Sequence, residues 1–293
     1  MSTRGRALVA QIDTLAVPPG MLAIWGLGQS GFILKGGQTV AYLDPYLTNA
    51  VDEAGYAPKG SFPRLFPPPL APAEATNAQV VFCSHEHVDH TDPQTLAPLS
   101  RASPRSLIVC SSWSRDMLLA AGVPSERILV PRLDEARSLA GLTFTAVPAA
   151  HYGVESDPER GHRWLGYVIE LNGVTLYHAG DTILHEGLVD RLKNKAVDVA
   201  CLPVNGRDFW REQRGIIGNL DARESAELAA TIGADVLIPM HNDMFALNHA
   251  NPAVLADFLD RHYPRQKYHW LQPGELYLYV RGPAAPPAAG ENP

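Results

Sequence analysis

Little in this sequence ties it to nucleic acid, membrane or a disulfide framework. Cysteine occurs three times in 293 residues, at Cys83, Cys110 and Cys201. Each lies in an apolar stretch far from the others, so buried, reduced thiols and a cytoplasmic setting are expected. Basic runs are absent: 24 Lys+Arg stand against 31 Asp+Glu for a net charge of -7, and the nearest approach, Arg261 to His269, is short and mixed with aromatics. A nucleic-acid or anionic-membrane partner is therefore not expected. No apolar run approaches the ~20 residues of a membrane helix, and no basic-then-apolar leader opens the chain. What remains is 46% hydrophobic content, enough for a sizeable core. The expected partner is a small-molecule substrate, with a homo-oligomer left open.

Against that background one stretch is dense with ligand chemistry. Ser84-His85-Glu86-His87-Val88-Asp89-His90 reads His-x-His-x-Asp-His and follows the apolar run Gln79 to Cys83. Alternate residues of an extended segment point the same way. His85 and His87 can therefore reach one ion while Asp89 and His90 turn toward a second. A histidine cluster at ligand spacing directly after a buried strand points to metal.

The rest of the chain supplies partners for it. Residues 1–20 read as a lead-in ending at Pro18-Pro19-Gly20, and 21–282 as a single domain. Met21 to Trp25, Phe32 to Leu34 and Thr39 to Leu43 read as an antiparallel meander. Within it Gly26-Leu27-Gly28-Gln29-Ser30-Gly31 matches G-x-G-x-x-G, but no helix can follow Gly31-Phe32-Ile33-Leu34-Lys35-Gly36-Gly37. The match is read as a tight strand connection, not a dinucleotide site. Residues 48–75, with Tyr56, Phe62 and Phe66, form a proline-rich loop expected to act as a lid. Beyond the metal stretch strands and helices alternate. Asn172-Gly173 marks a hairpin, and 283–293 reads as a disordered tail.

Three further apolar strands end in His151, Asp181 and His241. The expected assignment is His85, His87 and His151 for one ion, Asp89, His90 and His241 for the other, and Asp181 bridging. Imidazole and carboxylate without thiolate suit zinc or manganese and leave iron open. Arg207 and Arg214 are candidates to fork onto a carboxylate or phosphate. Asn205 is a candidate donor to substrate, and His178 a support behind a ligand.

These motifs resemble those of the metallo-β-lactamase-fold superfamily, in order across residues 21–280. Trp25 to Phe32, Tyr177-His178-Ala179-Gly180-Asp181, Pro203 to Asp208, Arg214 to Asn219 and Pro239 to Phe245 look like its UlaG-like branch, named for L-ascorbate-6-phosphate lactonase. One departure is His151, which the wider superfamily carries and that lactonase does not. The resemblance implies an α/β fold, an αββα sandwich of two mixed β-sheets flanked by helices, with a dinuclear site at the rim. It further implies a metal-dependent hydrolase. The expected reaction is attack of a metal-bridging hydroxide on a small polar or anionic sugar-derived lactone, with Asp89 orienting the water. A dinuclear phosphodiesterase and an iron-dependent redox protein are the competing expectations.

Overall fold

Strand β1 (Met21–Gly28) is apolar on both faces, and the layering explains why. Leu22 and Ile24 enter the core between two sheets, whereas Ala23 and Trp25 enter a second core beneath helices. The same alternation runs through β2 (Gly31–Gly36), β3 (Thr39–Leu43) and β4 (Val80–Phe82). The computed structural model describes residues 3–53, 60–151 and 153–282. Tyr56 and the expected tail 283–293 lie outside them.

β5 (Leu107–Val109) and β6 (Ile128–Leu129) continue this first sheet, and β7 (Ala136–Leu139) and β8 (Leu142–Pro148) open a second. The pair β9 (Ser156–Asp157) and β10 (Gly161–His162) stands apart. The second sheet is completed by β11 (Leu165–Leu171), β12 (Val174–His178), β13 (Val199–Pro203), β14 (Val236–Met240) and β15 (Lys267–Tyr268). β16 (Leu276–Val280) returns to the first. The strand orders are β16-β1-β2-β3-β4-β5-β6 and β15-β14-β13-β12-β11-β8-β7. Both sheets are mixed: β1 to β3 form the antiparallel meander, while β3 to β6 and β12 to β15 run parallel.

The helices are α1 (Gly5–Thr14), α2 (Ala50–Glu53), α3 (Pro93–Ala102), α4 (Ser112–Ala120), α5 (Leu188–Lys193), α6 (Phe209–Glu212), α7 (Ala222–Thr231) and α8 (Pro252–His262); α1, α3 and α4 pack into the core beneath the first sheet, and α5, α7 and α8 into the core of the second. Asp92 caps α3 by accepting from Gln94 N at 2.8 Å, with Pro93 as its first residue. Asn172 and Gly173 both take positive φ, as a two-residue hairpin turn requires. Phe82 packs edge-on to Phe144 at 5.2 Å and tilted to Tyr167 at 5.0 Å, tying the sheets together just below the metal-ligand loop. The Tyr167 hydroxyl donates to Cys83 O at 2.9 Å. Among the described residues no helix is long and apolar enough to cross a membrane.

Two regions carry structure that the sequence reading left unassigned. The lead-in contains α1, whose Leu8, Val9 and Ile12 join the core beneath β1 and β3, and whose final carbonyls accept from buried Lys35 Nζ. Three apolar residues in one and a half turns were too few to mark a helix by periodicity alone. The 48–75 segment is not structureless where described. Arg64 donates to Tyr46 O and Thr48 O, both at 3.0 Å, and Leu65 N donates to Met244 O at 2.9 Å. The loop is thereby pinned across the end of β3 and the segment after β14.

Candidate metal centre

Four strands deliver their C-terminal ends to one rim, the position where α/β sheets place ligands. β4 runs into His85–His90, β8 into His151, β12 into Asp181 and β14 into His241. The structure brings two donor groups together there. His85, His87, His151 and Asp181 form one set and Asp89, His90 and His241 the other, with the donor atoms of each set within 4.8 Å of one another. Asp181 touches both: Oδ1 is 3.3 Å from His90 Nε2, and Oδ2 is 3.1 Å from His241 Nε2 and 3.9 Å from His151 Nε2.

The donors fit a cation by what they lack. His85 Nε2, His90 Nε2, His151 Nε2 and Asp181 Oδ1 are buried with no hydrogen-bond partner among the described residues. Each such atom costs about 1–3 kcal/mol unless something occupies it. Four of them at one rim, all imidazole or carboxylate, suit a divalent ion such as zinc, manganese or iron.

Partners behind the donors set their orientation. Asp44, at the end of β3, accepts from Ser84 N at 2.7 Å, Ser84 Oγ at 2.6 Å and His90 Nδ1 at 2.7 Å. With its proton given to Asp44, Ser84 Oγ is the acceptor for His85 Nδ1 at 3.0 Å. Both rings therefore carry hydrogen on Nδ1 and turn Nε2 inward. His178 is buried behind Asp181 and does not line the cavity. Its Nε2 donates to Ser30 O at 2.8 Å and its Nδ1 accepts from Gly180 N at 3.2 Å, fixing the turn before Asp181. Gly180 sits at φ +60°, and a Cβ there would meet Leu165 O and Ser84 Cβ at 2.7 Å, so glycine is required.

The two sets differ electrostatically. Burial, helped by neighbouring histidines, pushes His85 well below its ordinary pKa; burial also lowers His87, and His151 falls to about 4. At His90 and His241 burial acts the same way, but Asp181 and Asp89 outweigh it, raising both and bringing His241 up to about 9. In the metal-free protein near neutral pH the first set is thus deprotonated and ready, while His90 and His241 carry protons that an ion must displace. The expected outcome is that affinity at the second set rises roughly tenfold or more per pH unit up to about pH 9, while affinity at the first is nearly flat above about pH 6.5. Calorimetric titrations at several pH values, repeated in buffers of different ionisation enthalpy to count released protons, check this. Equal proton release at both sets would contradict it.

Above the donors lies a cavity of about 270 Å³. His87, Asp89, Asp181 and His241 line its floor, and Val51, Phe62, Val88, Ile216 and Ile217 contribute apolar walls. No lysine or arginine among the described residues lines it. Here the structure departs from the expected recognition residues. Arg207 forks onto Glu224 at 2.7 Å through both terminal nitrogens, because α7 presents that carboxylate beside it. Arg214 stacks on Trp210, 4.0 Å from the ring centroid, and is exposed. Asn205 is buried, accepting from Asn219 Nδ2 at 3.3 Å, and does not line the cavity. Sequence reasoning missed Asp44, Ser84 and Gln29; the last donates to Asp89 Oδ2 at 2.8 Å from the β1–β2 turn. An aspartate closing a strand and a serine next to a ligand were the available signals for the first two.

Comparison with known proteins agrees with this architecture. Residues 44–242, about two thirds of the chain, match the model of the β-lactamase superfamily domain. The chain is 29% identical over 222 residues to a UPF0173 metal-dependent hydrolase of Methanoculleus marisnigri, covering 75% of this chain and 80% of the relative. It is 25% identical over 293 aligned positions to a probable L-ascorbate-6-phosphate lactonase, UlaG, of Escherichia fergusonii, covering 90% and 81%. Among solved structures, an isothiocyanate hydrolase from Delia radicum gut bacteria superposes with a TM-score of 0.68 at 17% identity, covering 89% of this chain and all of the other. The chain belongs to the β-lactamase superfamily and is a metal-dependent hydrolase of the metallo-β-lactamase fold.

Proposed function

We propose that the protein is a two-ion lactonase whose substrate is a neutral lactone with an apolar flank. The observation that carries this reading is the cavity itself: a floor of two adjoining donor sets under walls of Phe62, Val88, Ile216 and Ile217. His85, His87 and His151 would hold one ion, Asp89, His90 and His241 the other, with Asp181 between them. When bound, zinc or manganese ions there would lower the pKa of water and polarise a carbonyl oxygen. Asp89, on the cavity floor, orients the attacking water and takes its proton. As the carbonyl–ring-oxygen bond breaks, that proton passes to the leaving oxygen, giving a hydroxy acid. The similarity to a probable lactonase supports the ring ester, while the apolar walls favour a neutral ring over the sugar phosphate of that relative's name.

A screen of neutral lactones, phosphorylated lactones, carboxylic esters and phosphodiesters, with protein reloaded with zinc or manganese, tests the proposal. Neutral lactones are expected to give the highest kcat/KM. Turnover of phosphodiesters alone would sink it. Because Arg207 and Arg214 are engaged away from the cavity, Arg207→Ala and Arg214→Ala are each expected to keep kcat/KM within about threefold. A loss above tenfold confined to anionic substrates would restore the anion-binding role.

A further inference from the structure

Gln29 occupies a backbone conformation that its side chain does not favour. It sits at φ +56° in the two-residue turn between Gly28 and Gly31, where glycine is at ease and another residue gives up about 1–2 kcal/mol. The turn is nevertheless fixed. Gln29 N donates to Asp243 Oδ1 at 2.9 Å, and Gln29 O accepts from His241 N at 2.8 Å. His241 itself stands at φ +58°. Strain held in place by opposing hydrogen bonds is a mark of a functional site.

The strained turn buries the carboxamide among the donors. Its terminal nitrogen is 2.8 Å from Asp89 Oδ2 and 2.9 Å from His241 Nε2, while its oxygen is buried without a hydrogen-bond partner among the described residues. Two ligands of one ion at ~2.1 Å stand about 3.0 Å apart at right angles and about 3.4 Å apart at the tetrahedral angle. Asp89 Oδ2 and His241 Nε2 are 3.4 Å apart, and His90 Nε2 is 3.6 Å from Asp89 Oδ2. The carboxamide tip is therefore at ligand-to-ligand distance from two members of the second set. As oriented, its amide nitrogen, which can only donate, faces His241 Nε2, the atom that an ion needs. A half-turn of the amide, whose two ends have nearly the same shape, removes that conflict.

The geometry points to Gln29 as a further ligand of the second ion, giving its carboxamide oxygen alongside Asp89, His90 and His241. The assignment rests on the two-ion reading above. It makes the β1–β2 turn part of the metal centre and gives the second ion a neutral oxygen ligand, which hard ions such as manganese accept well.

The test is a calorimetric titration of the metal-free full chain with manganese or zinc alone, for wild type, Gln29→Gly and Gln29→Glu. Glycine removes the carboxamide and suits the positive φ; glutamate keeps an oxygen at the tip but no donor. The expected result is that Gln29→Gly weakens one equivalent at least roughly tenfold and leaves the other unchanged, while Gln29→Glu binds both at wild-type strength or tighter. If Gln29→Glu is as weak as Gln29→Gly, the group acts as a donor to Asp89 and the assignment is overturned. Unchanged affinity in Gln29→Gly, or equal loss of both equivalents, overturns it as well. A wild-type chain that takes up a single equivalent overturns the two-ion reading and this assignment with it; normal uptake of two with unaffected variants overturns this one alone.

Discussion

Asp181→Asn is expected to lower kcat/KM about a thousandfold or more and to strip ions from both donor sets. The argument is electrostatic. Asp181 is one of only two carboxylates among the clustered donors of the described residues, and its oxygens lie between His90 and His241 on one side and His151 on the other. A unit charge 4 Å from another contributes about 4 kcal/mol at an effective dielectric of 20, and a divalent ion doubles the attraction. Four kcal/mol corresponds to roughly a thousandfold in a binding or rate constant. Asparagine keeps the shape, yet one of its two ends is a donor that turns its hydrogens toward a cation. Metal content of the purified variant and its kcat/KM are the two readouts. A variant that holds two equivalents and turns over within tenfold of wild type would show that Asp181 is not shared between the sets.

How much of this was legible before the structure follows from which interactions are local. His85 to His90 could be read as a cluster because six consecutive residues fix their own geometry after a buried strand. His151, Asp181 and His241 could be found because each ends an apolar run, and the sandwich places such ends on one rim. The hairpin at Asn172-Gly173 is likewise decided within two residues. Arg207 and Arg214 mark the limit. A guanidinium near a strand end is free to face a cleft or a neighbouring helix, and only the placement of Glu224 and Trp210 decides. The apolar character of the cavity was hidden for the same reason, since Val51, Phe62, Val88 and Ile217 meet only through the fold. Gln29 was read as part of a glycine-rich connection. That turn is indeed a tight strand connection, but its one long polar side chain reaches residues 60 and 212 positions away.

Asp44 shows the same blindness, and its replacement carries the second large expectation. In sequence it merely ends β3, with nothing to tie it to histidines forty positions on. In the fold it is 1% exposed and accepts three hydrogen bonds, two from Ser84 and one from His90. Asp44→Ala leaves those three buried donors facing a methyl group, and the loss of a buried charged partner is worth about 3–5 kcal/mol. For a chain of this size that is a fall of roughly 10 °C in Tm, to be measured on metal-free protein so that ion binding does not enter. Reloading then reads a separate effect. Without Asp44 the Nδ1 hydrogen of His90 is no longer fixed, and affinity at the second set is expected to drop about 10–100-fold. Asp44 lies at φ +38°, so alanine adds backbone strain of its own. Asparagine tolerates that conformation and keeps one acceptor, so Asp44→Asn separates the two causes. If the hydrogen bonds dominate, Asp44→Asn recovers part of the lost Tm but little of the ion affinity, because its amide nitrogen competes as a donor at Ser84 and His90. Full recovery of both by asparagine would mean that strain, not the carboxylate, accounted for the alanine defect.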